Sequence, residues 1–268
     1  LPPKQDNDMI KAVFFDIDGT LVSFKTHKLP DSAARALDRL REKGIKVFIA
    51  TGRQARSINN LGTQVFDGYV TLNGGYCLAG KERVIYKHPI PPEDIAALIR
   101  YQEEVEEFPC ALVEEDGIYQ NYVDDSARQL YGMLDFPHPP ARPLRGNGGK
   151  EVYQLIAFFS PAQEERILSV LPHCEATRWN PLFADVVPRG SSKAVGIDKI
   201  IAYYGISLRE TMAFGDGGND SAMLRHAGIG VAMGNAGDAV KAAADYVTDS
   251  VDDDGVWNAL RHFGLIAE

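Results

Sequence analysis

Cysteine is scarce in this chain, three residues in 268. Cys77, Cys110 and Cys174 stand far apart, with no C-x-x-C pair and no histidine at ligand spacing. That scarcity excludes a disulfide framework and a cysteine-based zinc site, and it reads as free thiols in a reducing cytosol. Long apolar runs are missing too. Nothing approaches the roughly 18 residues that a membrane-spanning helix needs, and the first residues lack the charged and hydrophobic blocks of a secretory signal. The expectation is a cytoplasmic protein with no membrane partner. Positive charge is in deficit, 28 Lys and Arg against 37 Asp and Glu, and a formal net charge of −9 argues against a nucleic-acid partner by simple repulsion. The six histidines are scattered without ligand spacing, so they are assigned no chemistry. Oligomeric state has no signature in the sequence.

What is present is a globular composition, 45% hydrophobic and 24% charged, in a chain long enough for one large or two modest domains. The polar, Pro-rich residues 1–8 read as a disordered leader or a cloning remnant. From Ile10 onward short β-branched and aromatic runs alternate with amphipathic stretches: "IKAVFFD", "IKVFIAT" and "GYVTL" as strands, "SAARALDRLREKG" and "RQARSINNL" as helices. The alternation returns late, with "TMAFGD", "GIGVAM" and "YVT" as strands among "SSKAVGIDKIIAYYG", "NDSAMLRHA" and "AGDAVKAAA" as helices. This order predicts an α/β protein with a Rossmann-like, doubly wound parallel sheet, whose ligands bind at the carboxyl ends of the strands.

Between the two halves the texture changes. "RVIYKHPI", "CALVEEDGIYQNYV", "EVYQLIAFF" and "ADVVP" read as strands, "PEDIAALIRYQEEV" and "PAQEERILSVL" as helices, and "DFPHPPARPLRGNGGK" as an extended loop. The expected organisation is a discontinuous core, residues 9–80 and 189–268, interrupted by an inserted α+β domain at 81–188.

Four elements carry polar chemistry at the predicted strand ends. "DIDGT" closes the first strand with Asp16 and Asp18, which by themselves are also the chemistry of a turn. "TGR" closes the second, where Thr51 and the Gly52 amide suit either half of a phosphate cradle or a helix N-cap. Lys193 in "RGSSKAVG" stands near a helix start, where its charge opposes the helix dipole; it is either a surface lysine or a cation with an anion to hold. "FGDGGND" supplies Asp216, Asn219 and Asp220 around two glycines. A turn does not require an acid on each side of Asn219, and carboxylates gathered at one sheet edge repel unless a hard cation such as Mg2+ compensates.

As a set, "DIDGT", the Thr of "TGR", the Lys of "SSK" and "GDGGND" resemble the four motifs of the haloacid dehalogenase (HAD) superfamily of phosphotransferases. The insertion after "LNGG" resembles the cap of Cof-type sugar phosphate phosphatases. The resemblance implies Asp16 as the nucleophile forming an aspartyl-phosphate, Asp18 as general acid and base, and Thr51 and Lys193 as phosphoryl holders. It further implies Mg2+ on the Asp16 carboxylate, the Asp18 carbonyl and Asp216, with Asp220 in support and Asn219 near the phosphate or Lys193. The expected activity is hydrolysis of small phosphate esters, hexose phosphates first. A sugar phosphomutase is the sibling alternative. A phospho-Asp signalling receiver fits less well, having no need of a second acid or a large insertion. For leaving-group contacts the sequence offers Asn73 in "LNGG", and Arg178, Trp179 and Asp185 in the insertion. Arg178 reads first as a solvated surface charge and Trp179 as ordinary packing, and Arg53 as a helix start.

Overall fold

The computed structural model describes residues 10–178 and 180–267, so the leader reading of residues 1–8 and both readings of Trp179 fall outside the described residues. The chain divides into two compact units, one reaching to Tyr86 and resuming at Ser192, the other formed by Lys87–Ser191.

The first unit opens with β1 (Ala12–Phe15), α1 (Asp31–Glu42), β2 (Lys46–Ala50), β3 (Gly68–Thr71), β4 (Tyr76–Ala79) and β5 (Arg83–Lys87). The second holds α2 (Pro92–Glu104), β6 (Cys110–Glu114), β7 (Ile118–Gln120), α3 (Asp125–Met133), β8 (Val152–Ala157), α4 (Pro161–Ser169), β9 (Cys174–Thr177) and β10 (Ala184–Pro188). The first then resumes with α5 (Lys193–Tyr204), β11 (Thr211–Gly215), α6 (Ser221–His226), β12 (Ile229–Ala232), α7 (Asp238–Lys241), β13 (Tyr246–Val247) and α8 (Gly255–His262).

The larger sheet runs β13-β12-β11-β1-β2-β3-β4-β5. It is parallel from β13 to β3, and β4 turns back antiparallel on β3. At its centre β1 pairs Ala12 with Thr211 on one side and with Lys46 on the other. The run Ala12–Phe15 is wholly buried because both of its faces are covered. Alternate side chains divide the work: Phe14 stacks on Phe48 at 4.8 Å and joins the cluster containing Ile197 and Ile200 of α5, while Phe15 stacks on Phe214 at 4.9 Å. Burying each ring contributes about 1.5–3 kcal/mol.

The helix that follows the second unit matters most for what comes next. Ser192 caps α5, its hydroxyl accepting from the Val195 amide at 3.2 Å, and Gly205 ends it in the left-handed region at φ 66°. Gly196 lets α5 lie close against β3: a Cβ there would stand 2.2 Å from Val70 Cγ1 and 3.2 Å from the Gly74 backbone.

The second unit is an antiparallel sheet, β7-β6-β8-β10-β9. It has its own core, in which Ile95 and Leu98 of α2 and Ile167 of α4 pack with Leu112, Leu155 and Val186 of the sheet. A smaller cluster joins Leu130 and Tyr131 of α3 to Phe158 and Phe183.

Several expectations shift. "RQARSINNL" is a single 3-10 turn at Ala55–Ser57; Asn59, Asn60 and Gly62 are poor helix formers, and the Arg53 carbonyl is taken by the Leu72 amide at 3.2 Å. "RVIYKHPI" supplies β5, which extends the larger sheet beyond β4, so the second unit starts at Lys87, six residues past the expected entry. Elements α3, α8, β4 and β9 were not expected. Within the Pro/Gly-rich loop a 3-10 turn forms at Leu144–Asn147, and Ala141 bridges to Gln120.

Gly196→Ala should destabilise the protein by about 1–3 kcal/mol, because overpacking against the stiff Val70 side chain outweighs the roughly 1 kcal/mol gained in helix propensity. Urea unfolding checks this. A stabilised variant would mean that α5 has room to retreat from β3.

Candidate active site

The loops at the carboxyl ends of β1, β2, β3 and β11 and the first residue of α5 bring the predicted side chains together. Asp16 follows β1 directly, its amide donating to the Phe214 carbonyl at 3.0 Å. Gly19, at φ +86°, bends the loop back; a Cβ on it would lie 2.1 Å from Asp216 Oδ2. Only glycine therefore allows the β1 and β11 carboxylates to share this space.

Lys193 is the first residue of α5 and is fully buried. Its Nζ donates to Asp16 Oδ1 at 2.6 Å and to Asp220 Oδ1 at 2.5 Å. The surface reading of this lysine is thereby excluded. Asp220 has structural partners on its other oxygen, which accepts from the amides of Asp216 at 2.9 Å and Gly217 at 2.8 Å. Asp216 accepts from the Thr20 hydroxyl at 2.8 Å and from Asn235 Nδ2 at 3.3 Å, and that amide also donates to the Gly19 carbonyl at 2.9 Å. Carboxylate oxygens of Asp16, Asp216 and Asp220 lie within 4.8 Å of one another.

The electrostatics follow from burial and crowding. Desolvation pushes the Asp16 carboxyl well above the ordinary range; the ammonium of Lys193 pulls it down, and Asp220, Asp216 and Asp18 push it further up. Burial, and then Asp220, raise Asp216 to about 7 against the opposing pull of Thr20 and Lys193. Burial alone would lower Lys193, but Asp16 and Asp220 outweigh it and hold the ammonium above its usual value. Three carboxylates thus face one ammonium, and the two uncompensated negative charges are what a divalent cation would neutralise. The donors are hard oxygens, which suits such an ion. Ile17 O and Gly19 N carry the backbone pairing of this loop with Val22, which leaves the Asp18 carbonyl outside that pairing.

Around the cluster, Thr51 is buried and its hydroxyl accepts from the Arg53 amide at 3.1 Å, a local turn bond rather than an α-helix cap. The expectation of a helix N-terminus at "TGR" is corrected accordingly. Asn73 occupies the left-handed region at φ 51° and accepts from Asn219 Nδ2 at 3.0 Å. Gly52 is its close neighbour, since a Cβ there would be 3.3 Å from the Asn73 amide. Asn219 thus meets Asn73. Asp18 is held by Arg53, with Nε to Oδ2 at 2.6 Å and Nη2 to Oδ1 at 2.5 Å.

Arg178 and Asp185 belong to the second unit. Arg178 is not a solvated charge: its side chain is 17% exposed, pairs with Glu164 at 2.7 Å, donates to the Phe159 carbonyl at 2.8 Å and lies over the Phe159 ring. Asp185 is buried in β10 and accepts from Gln154 at 2.7 Å. Reading the sequence passed over Thr20, Asn235 and the partner of Arg53. The signal for Asn235 was present, since "GNAG" after the buried run "IGVA" is one more polar loop at a strand end.

Comparison with known proteins agrees with this architecture. Residues 13–260 match the haloacid dehalogenase-like hydrolase family, and the chain belongs to that family. It is a phosphoric monoester hydrolase of the α/β type with an inserted domain. The chain is similar to a putative phosphatase of Bacillus subtilis, YkrA, 34% identical over 96% of this chain and 98% of the relative. Among solved structures it resembles the HAD subclass IIB sugar phosphatase BT4131, 48% identical over 96% of this chain and 100% of that one, with a TM-score of 0.88. It also resembles the phosphatase BT1666 of Bacteroides thetaiotaomicron, 41% identical over 99% of both chains, with a TM-score of 0.90.

Lys193→Met should cost about 3–5 kcal/mol in metal-free buffer, because it leaves buried carboxylates without their cation. Chemical unfolding measures this. A loss below about 0.5 kcal/mol would mean that the carboxylates tolerate one another unaided.

Proposed function

We propose that this protein is a Mg2+-dependent phosphatase of small phosphorylated metabolites, sugar phosphates foremost, working through an aspartyl-phosphate on Asp16. The observation that carries the reading is the buried group of Asp16, Asp216 and Asp220 around the single ammonium of Lys193. The similarity to the sugar phosphatase BT4131 supports the substrate class.

Lys193 engages Asp16 Oδ1, which leaves Oδ2 without a hydrogen-bond partner among the described residues and able to attack phosphorus. Lys193, the Thr51 hydroxyl and the Gly52 amide hold the phosphoryl oxygens, with Asn73 and Asn219 beside them. Asp16, Asp216 and the Asp18 carbonyl would hold the metal, with Asp220 keeping Lys193 and the Asp216 loop in register. When bound, Mg2+ supplies the positive charge that keeps Asp16 ionised and stabilises the transferring oxygens. Asp18 gives a proton to the leaving oxygen as the ester bond breaks, and takes one from water when the aspartyl-phosphate is hydrolysed. All of these residues belong to the first unit. We assign the choice of leaving group to the second unit; its two polar candidates from the sequence, Arg178 and Asp185, are engaged by Glu164 and Gln154 within that unit.

Asp16→Asn should lower turnover of a sugar phosphate by at least about a thousandfold while preserving the fold, since it removes the attacking oxygen but keeps the volume. Retained release of inorganic phosphate would sink the nucleophile assignment, and an isomerised ester in place of phosphate would mark a mutase. Exhaustive chelation should stop the reaction and Mg2+ restore it, whereas Ca2+, with its larger and looser oxygen shell, should restore little. Activity indifferent to chelation would refute the metal reading.

A further inference from the structure

We propose that Arg53 is a positioning residue for Asp18 in the phosphoryl transfer. The inference rests on the reading of Asp18 as proton donor. One guanidinium engages both carboxylate oxygens, Nε with Oδ2 at 2.6 Å and Nη2 with Oδ1 at 2.5 Å, and the two side chains are only 13% and 24% exposed. The arginine is itself anchored. Its amide donates to Thr51 Oγ1 at 3.1 Å, its carbonyl accepts from Leu72 at 3.2 Å, and Nη1 reaches the Ser57 carbonyl at 3.4 Å. Loops after β2 and β3 therefore fix the cation that holds an acid from the loop after β1.

A planar fork sets both the direction and the plane of a carboxylate, which a lysine cannot do. Each carboxylate oxygen spends one lone pair on the guanidinium and keeps another for a proton. The fork therefore fixes the direction in which the remaining lone pairs, and a proton on them, point. The proton passes from Asp18 to the ester oxygen as that P–O bond breaks and the bond from Asp16 to phosphorus forms. It is recovered from water as the water oxygen bonds to phosphorus and the Asp16 bond breaks, so no further reactant is needed. Arg53 thus governs where the proton is delivered without touching the reacting atoms.

The test compares two esters on the full chain with Mg2+: a hexose 6-phosphate, whose alkoxide must be protonated to leave, and p-nitrophenyl phosphate, whose phenolate needs little help. Arg53→Met should lower kcat/KM, which reports the transfer to Asp16, by about a hundredfold on the sugar ester and by less than about fivefold on the aryl ester, while the hydrolysis step that both esters share slows for both. Asp18→Asn should show the same bias, and adding Arg53→Met to it should leave the ratio of the two rates unchanged. Equal losses of kcat/KM on both esters would overturn the proposal by making Arg53 a phosphate grip or a structural strut. If Asp18→Asn shows no bias, the proton-donor reading has failed and the proposal falls with it. Should the Met variant not fold, Arg53→Lys keeps the charge without the fork; it should give the same bias at about tenfold, and an unbiased Lys variant refutes the idea.

Discussion

A single buried ammonium organises the catalytic end of the larger sheet. Taking Lys193 out of water costs several kcal/mol unless it is well paired, and it is bonded to carboxylates from two different strand ends. Those carboxylates then exceed the charge they surround. The same crowding that stabilises the buried lysine gathers excess negative charge, which a divalent ion would offset. The backbone serves this arrangement: Ser192 starts α5 at the right residue, Gly196 lets the helix lie close against β3, and Gly19 admits Asp216. Packing and electrostatics are therefore one constraint, since a shift of α5 by a fraction of an ångström moves the cation.

The second unit is built on different principles. Its antiparallel sheet needs no crossover helices, and its polar interior is tied internally. Glu114 accepts from Arg142 and from Asn147, Arg178 from one side meets Glu164, and Asp185 meets Gln154. Such networks stiffen a small domain, and among the described residues two of their buried atoms, Arg142 Nε and Arg178 Nη1, have no hydrogen-bond partner. The thiols Cys110 and Cys174 are buried in the same unit and pushed up to about 12 by loss of water, which makes them inert packing groups, as is Cys77 in the first unit.

Much of this was legible because parallel strands announce themselves as uninterrupted apolar runs that end in polar glycine-containing loops. Asp16, Thr51, Lys193 and Asp216 could be found from that grammar, and each lies at a strand end or helix start in the structure. What could not be read was pairing across the sheet. Nothing local to Thr20 says that it will meet Asp216, nor does anything near Arg53 name Asp18 as its partner, because the contacts join loops far apart in the chain. Short elements were lost for a similar reason. The strand β4 is four residues of "YCLA" that become a strand by pairing with β3, and "RQARSINNL" has helical spacing but is recruited by the site instead. Tertiary demands override local preference in segments of this length.

The central pairing of β1 with β11, Ala12 against Thr211, also dictates the order in which the molecule can be made. A ribosome delivers the whole of Lys87–Ser191, a contiguous piece with its own core, before it delivers the strand that completes the middle of the larger sheet. During synthesis the inserted unit can therefore fold first, while β1, apolar throughout, waits with one edge open. Such a wait is long in sequence terms and exposes a strand edge that invites mispairing. A slow and error-prone step should accordingly be the pairing of β1 with β11, and a chaperone that shelters nascent apolar segments would act there.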